Sequence, residues 1–251
     1  MKIAIVGFSE SSRGDAPFDD KEWEIWICNH LYPFVPRWDR HFEIHTLAYL
    51  KTLAFWESDY APWLEKSSLD EHRYVYVNGV AGFRPKGSVA YPIDDMVARF
   101  GSYFTSTVAY MIALAIRAIE AEIQASMTVS GPLPDSVLEH EIGLWGVDMT
   151  HDTEWAWQRA CVERLVGIAM GTGIKVTIAE SSALLKCPWL YGYDEEPGEF
   201  AAITEGLDRE DASARKKHEK AIIDTATYDG YRQALGWMKR RLREMKRGAT
   251  F

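Results

Sequence analysis

Apolar and polar positions along the chain follow two different periods. Short β-branched or apolar runs recur at Lys2–Gly7, Trp23–Cys28, His41–His45, Arg73–Val77, Glu141–Val147 and Ile174–Ile178. Their length and flanking turn residues predict strands. Helical spacing sets in over Thr105–Gln124, where Val108, Met111, Ile112, Ala115, Ile116 and Ile119 share a face. It returns over Asp152–Met170, with Trp155, Ala156, Ala160, Val162, Leu165, Val166 and Ala169. A third periodic segment, Asp208–Lys246, is charged and carries only a thin stripe of Ile222, Ile223, Ala226, Tyr231, Leu235 and Met238. A break in it is expected near Thr225–Gly230. Gly171-Thr172-Gly173 reads as the stop of the second helix, and Gly131-Pro132-Leu133-Pro134 as a loop.

Strands that alternate with helices make a parallel sheet with right-handed crossovers. The expected fold is therefore α/β: a Rossmann-like, mostly parallel sheet of about six strands with helices on both faces. Residues 1–192 form this domain, and residues 193–251 an acidic linker with a C-terminal helical extension. That extension can pack on the domain or make a homo-oligomer with a second copy.

Composition narrows the class. Of 251 residues, 47% are hydrophobic and 26% charged, which is globular rather than disordered. The net charge of −9 disfavours nucleic acid as a partner. The basic run Lys239–Arg247 has a simpler reading as a helix terminus whose cations complement the macrodipole. Cys28, Cys161 and Cys187 are scattered without a CxxC, so reduced thiols are expected. Met1-Lys2 leads straight into an apolar strand and no apolar stretch reaches membrane-spanning length. A soluble cytoplasmic protein with no membrane partner is expected.

Candidate chemistry gathers where strands end. The loop after the first strand carries Gly7, Ser9, Ser11, Ser12 and Gly14. Its N–H groups and hydroxyls can hold a phosphate. It has neither GxGxxG nor GK[ST] spacing, and a plain strand-to-loop turn explains it as well. Asn29 follows the second strand, placed either to read a nucleoside or to satisfy its own loop. In His41-Phe42-Glu43-Ile44-His45 the alternation puts apolar residues inward and ionisable ones outward. A helical segment would make His41 and His45 a metal pair, but the alternation favours a strand. His45, at the carboxyl end, is then the acid/base candidate, or a cap on the strand. Thr105 or Ser106 caps the long helix, and its hydroxyl-rich N-terminus is also an anion site. Asp148 ends Gly146-Val147-Asp148, ready to bind a ribose, orient a histidine or take Mg²⁺. His151 lies just beyond it, and Asp152 reads as a helix cap.

In this order the motifs are similar to a known group. The opening strand and Gly/Ser loop, followed by Cys28-Asn29-His30-Leu31-Tyr32, resembles the start of bacterial sialyltransferase-type glycosyltransferases. Thr105-Ser106-Thr107-Val108-Ala109-Tyr110-Met111 and Trp145-Gly146-Val147-Asp148 are similar to their Thr-x-Gly-x-x-Met helix and Gly-Ile-Asp strand. Their Gly-Asn-Gly-Pro-Ser opening is altered here at Phe8 and Ser9. The same skeleton occurs in archaeal-type hydroxymethylpterin pyrophosphokinases and motility-accessory relatives. The stretches Gln158–Ile174 and Ser182–Lys186 also look like uncharacterised phage and prophage proteins.

The resemblance implies a transferase using a nucleotide or nucleotide-sugar donor. Gly7, Ser9 and Ser12 would line the phosphate loop, Asn29 would contact the nucleoside, and Thr105 and Ser106 would face phosphate. His45 or His151 would be the base, with Asp148 orienting the donor or a metal. The alternatives are a Mg²⁺-dependent pyrophosphokinase and a non-catalytic phage accessory protein that binds a nucleotide or a partner.

Overall fold

Ile3, Ala4, Ile5 and Val6 are all fully buried, as an apolar run with no alternation requires when both faces of a strand are covered. The computed structural model describes residues 1–79, 83–127, 140–149, 154–187, 190–193 and 199–248. In it this run is β1 (Lys2–Val6), followed by β2 (Trp23–Cys28), β3 (Arg40–Glu43), β4 (Tyr74–Val77), β5 (Val89–Ala90), β6 (Glu141–Trp145) and β7 (Lys175–Ile178). They form one sheet of order β5-β4-β3-β2-β1-β6-β7. Every pairing is parallel. The chain steps outward from β1 to β5, then returns to place β6 on the other flank of β1. Lys2 therefore pairs with Trp23 on one side and Glu141 on the other. This is a Rossmann-like α/β fold. The reversal of strand order between β1 and β6 opens a crevice at their carboxyl ends, where such sheets take ligands.

Two apolar layers sandwich the sheet. On one face Ile3, Ile5, Trp26, Phe42 and Leu144 pack under α3 (Ile93–Phe100), α4 (Thr107–Met127) and α5 (Glu154–Gly171). On the other, Ala4, Val6, Ile25, Ile27, Val75 and Val77 meet Leu50 of α1 (Leu47–Leu50), Trp56 and Tyr60 of a π turn, and Leu64 of α2 (Ala61–Ser67). Each fully buried aliphatic side chain contributes roughly 1.5–3 kcal/mol. The exposed ion pairs at the rim are worth at most about 1 kcal/mol each. Burial on both faces therefore holds the sheet.

The sequence reading meets several corrections here. The described residues form seven strands, because β5 is a two-residue strand too short to show a period. α1 and α2 escaped notice for the same reason, at four and seven residues, whereas α3 does carry a helical spacing, with Met96 and Phe100 four apart on its buried side. His41 and Glu43 do not face water; they are 0% and 1% exposed under the second helical layer. Alternation signals a solvent face only in a sheet with one open side. In α5 the buried face is Cys161, Val162, Leu165, Val166 and Ala169, while Ala160 is exposed. The end of α5 is as expected. Gly173 sits at φ +85°, the Gly173 N–H reaches the Met170 carbonyl, and Ile174 N–H reaches that of Ala169, a Schellman stop.

The chain divides into two units, Met1–Lys186 and Cys187–Phe251. The first holds the sheet and α1–α5. The second contains α6 (Glu199–Gly248), a single 50-residue helix with no break at Thr225–Gly230. Among the described residues no helix is long and apolar enough to cross a membrane.

Two glycines fix the crevice. Gly7 N–H donates to the Trp145 carbonyl at 2.8 Å, and Ser9 N–H to that of Gly146 at 2.9 Å. A methyl group on Gly7 would overlap the Gly146 carbonyl oxygen, and one on Gly146 would overlap that of Gly7. Gly146 also holds φ at +66°, which side-chain-bearing residues reach only with strain. Gly146→Ala is expected to destabilise the fold by about 1–3 kcal/mol from backbone strain alone. A urea denaturation midpoint unchanged from wild type would contradict this.

Candidate functional site

The β1 loop closes on the end of β6 through its hydroxyls. Ser9 Oγ and Ser11 Oγ donate to the same Asp148 oxygen, Oδ2, at 2.5 and 2.6 Å. Ser12, 2% exposed, accepts from Gly146 N–H at 2.8 Å. Among the described residues Asp148 Oδ1 is buried with no hydrogen-bond partner, a costly state for a carboxylate oxygen unless something completes it. The next residue, Met149, adopts φ +53°, and such strain persists where the surroundings impose it. Beside the loop lies an open depression of about 500 Å³ lined by Ser11, Ser12, Asp15, Trp145, Ala179, Glu180 and Ser181.

A second polar cluster sits two strands away at the same edge. Glu43 is 1% exposed at the last position of β3. A buried carboxylate must be paired, and donors surround this one. Tyr60 Oη donates to Oε2 at 2.6 Å. His45 N–H donates to Oε1 at 2.9 Å, and His45 Nδ1 lies 2.8 Å from that oxygen. A carboxylate only accepts, so Nδ1 is the donor of this pair, and in the neutral imidazole Nε2 is the nitrogen with the free lone pair. His45 is about one-third exposed and stacks on Tyr49 at 4.4 Å. The arrangement is an imidazole oriented by a buried acid, with a basic nitrogen left for a reactant.

Beneath this pair, His41 Nε2 donates to the Asn29 carbonyl at 2.7 Å, and its Nδ1 is buried without a partner among the described residues. Burial lowers the His41 pKa to about 4, against smaller upward pulls from the Asn29 carbonyl and Glu43. His41 is therefore neutral near pH 7. Burial, reinforced by Glu43, pushes the Cys28 thiol up to about 12, so it is not a nucleophile. Burial, then Glu43, raises Tyr60 well above its ordinary value, leaving it a proton donor to the carboxylate.

The two clusters are joined by aromatic rings. The Phe8 ring, next to Ser9, lies 4.8 Å from that of His30, which lies 5.2 Å from Phe55. His30 is lowered chiefly by burial; Glu43 raises it and His45 lowers it, so its ring senses the second cluster. Asn29, at φ +53°, turns its side-chain oxygen toward Thr107 Oγ1 at 3.5 Å, at the start of α4. Ser106 is the cap, accepting from Ala109 N–H at 3.2 Å, and Thr105 donates to the Gln158 carbonyl.

The structure thus brings Gly7, Ser9, Ser12 and Asp148 together at the β1/β6 crevice. Asn29, Thr105, Ser106 and His45 lie along the same carboxyl edge. His151 falls outside the described residues. Sequence reasoning missed Glu43, Tyr60 and the pairing of Ser11 with Asp148. The available signal was Glu-x-His at the end of a strand, where the backbone lets the carboxylate reach back to the imidazole.

Comparison with protein-family models, curated proteins and solved structures finds no match to this chain.

The depressed His41 makes stability depend on pH. In the unfolded chain this imidazole protonates near 6.5, in the folded one only near about 4. Between those values the unfolded state binds more protons, so stability falls as pH drops through that window, by roughly 3 kcal/mol from this group. Below about 4 its contribution is gone. His41→Gln, which keeps a donor for Asn29, is expected to flatten the slope of unfolding free energy over this range. An unchanged slope would contradict the assignment.

Proposed function

We propose that the protein is a transferase acting on a nucleotide-activated donor, in the manner of a glycosyltransferase, with His45 as its general base. The observation that carries this reading is the His45–Glu43 pair at 2.8 Å on the sheet's carboxyl edge. His45 Nε2 takes the proton of an acceptor hydroxyl as that oxygen attacks the anomeric carbon. The bond from that carbon to the phosphate oxygen breaks, and its electrons leave with the nucleotide. Glu43 steadies the imidazolium that results.

The donor occupies the crevice between β1 and β6. Asp148 disfavours a phosphate set directly against it and suits a ribose or sugar hydroxyl. The first turn of α4, with Ser106, Thr107 and Asn29 about it, favours the phosphates. Among the described residues no group of three His, Cys, Asp or Glu could hold a metal ion; a Mg²⁺ brought with the donor would have Asp148 as its protein carboxylate and would supply charge neutralisation. The likeness of the Gly/Ser loop and Thr105–Met111 to sialyltransferase motifs supports the same class of donor.

The test pairs ligand binding with turnover. Melting temperature is measured with CMP, UDP, their sugar conjugates and ATP, each with and without Mg²⁺. A shift with CMP or UDP compounds is expected. His45→Ala should keep that shift while losing about 10²–10⁴-fold in turnover, and Glu43→Gln should lower kcat more than it changes KM. Full turnover in His45→Ala would remove the base. A shift confined to ATP with Mg²⁺ would replace the reading with a pyrophosphokinase, and no shift with any nucleotide would reject both.

A further inference from the structure

Glu43 is buried with no guanidinium or ammonium beside it; among the described residues its only ion-pair partner is the imidazole of His45. The titratable groups that face it are Cys28 at the end of β2, His30 just beyond, His41 and His45 flanking it in sequence, and Tyr60 from the π turn. Near pH 7 the Cys28 thiol, the His41 imidazole and the Tyr60 phenol are uncharged, and burial pushes His30 toward its neutral form. No fixed cation offsets the buried charge. Such a carboxylate draws a proton onto itself or its neighbour unless hydrogen bonds hold its charge.

Those bonds divide between its two oxygens. Oε1 accepts only from His45, through the backbone N–H and Nδ1. Oε2 has one described donor, the Tyr60 hydroxyl at 2.6 Å. That hydroxyl has no competing acceptor in His41 Nε2, 3.4 Å away, which donates to the Asn29 carbonyl and offers no lone pair. Nor can the ring swing aside: Tyr60 is 0% exposed, and the rings of Trp56, Tyr32 and Trp63 lie 5.7, 5.9 and 6.2 Å from it. A widened turn puts it there. The N–H groups of Asp59 and Tyr60 both reach the Phe55 carbonyl at 3.1 Å, the second of them with the five-residue spacing of a π turn. Such turns are rare and recur at functional sites.

We propose that Tyr60 is a positioning residue, whose hydroxyl holds Glu43 as an unprotonated acceptor and thereby keeps His45 Nε2 free at neutral pH. The inference rests on the reading of His45 as the base and adds what keeps that base ready. Tyr60, fully buried, acts on a reactant only through Glu43 and His45.

Without the hydroxyl, Oε2 loses its donor and the buried charge is left less well held. One proton from solvent, taken on His45 Nε2, then relieves the pair by making an imidazolium beside the carboxylate. The lone pair that would attack an acceptor's proton is gone in that state. A stronger donor at the same place does the reverse, drawing charge toward Oε2 and loosening the hold of Oε1 on an imidazolium.

The experiment uses the full chain without substrate and follows the ring nitrogens of His45 by long-range proton–nitrogen NMR as pH is varied. Tyr60→Phe is expected to raise the pH at which Nε2 takes its proton by about one unit. A 3-fluorotyrosine at position 60, a more acidic phenol that keeps the ring in place, should lower it. Tyr32→Phe removes a hydroxyl bonded to Asp59 on the same turn, without touching Glu43, and should leave it unchanged. Loosened packing does not produce shifts of opposite sign from losing and strengthening one hydroxyl. An unmoved midpoint in Tyr60→Phe, an equal shift in Tyr32→Phe, or shifts of one sign from both changes at position 60 would overturn the proposal. Should Tyr60→Phe not fold, the fluorinated chain decides alone, and a midpoint that does not fall overturns it. In turnover the acid limb of kcat/KM should follow the spectra. A limb that stays in place while the spectra move would reject His45 as the base and leave the hold of Tyr60 on Glu43 standing.

Discussion

A parallel sheet covered on both faces leaves polar chemistry only two places: the strand ends, or fully satisfied within the layers. The Glu43 cluster follows from that constraint. β1, β2 and β3 are buried on both sides, so Glu43, at the end of β3, lies under the second layer and draws Tyr60 and His45 to itself. Leaving that carboxylate without donors would cost several kcal/mol. The donors that satisfy it also orient an imidazole toward the carboxyl edge. Stability and chemistry share the same hydrogen bonds.

The second constraint is the close approach of two backbones at the order reversal. Gly7 and Gly146 cross without room for a Cβ on either. That crossing seats the serine loop on Asp148, so the hydroxyls of Ser9 and Ser11, which the sequence suggested for a phosphate, donate to a carboxylate. The crevice is therefore better suited to reading hydroxyl groups than to cradling an anion at this point. In the proposed reading the donor phosphates lie instead at the start of α4, where Asn29 and Thr107 meet. The strained backbone at Asn29 and Met149 marks these same two strand ends.

Much of the fold was legible in the chain. β2 begins and ends at Trp23 and Cys28 as its apolar run predicts, and α4 buries the face its spacing names. What escaped had a physical reason. β5 and α1 are shorter than any period, so they depend on tertiary packing rather than on local pattern. His41 and Glu43 mimicked a solvent face because alternation cannot distinguish water from a polar network under a second layer. His45 was visible as a strand-end histidine; Glu43 as its partner was not, because that reading placed the carboxylate in water. Along α6 the helical spacing was legible, but the break expected near Thr225–Gly230 is absent, because a single Gly at 230 does not end the helix.

The central claim is that Glu43 holds the proton of His45 on Nδ1 and leaves Nε2 as a base. Long-range proton–nitrogen NMR of the chain's seven histidines, at mildly alkaline pH and with His45→Gln to assign the signal, reads that tautomer directly without any substrate. The account predicts His45 protonated on Nδ1 in the wild type, with that preference lost in Glu43→Gln. A His45 proton on Nε2, indifferent to Glu43, would mean that the pair does not form and the proposed base is wrong.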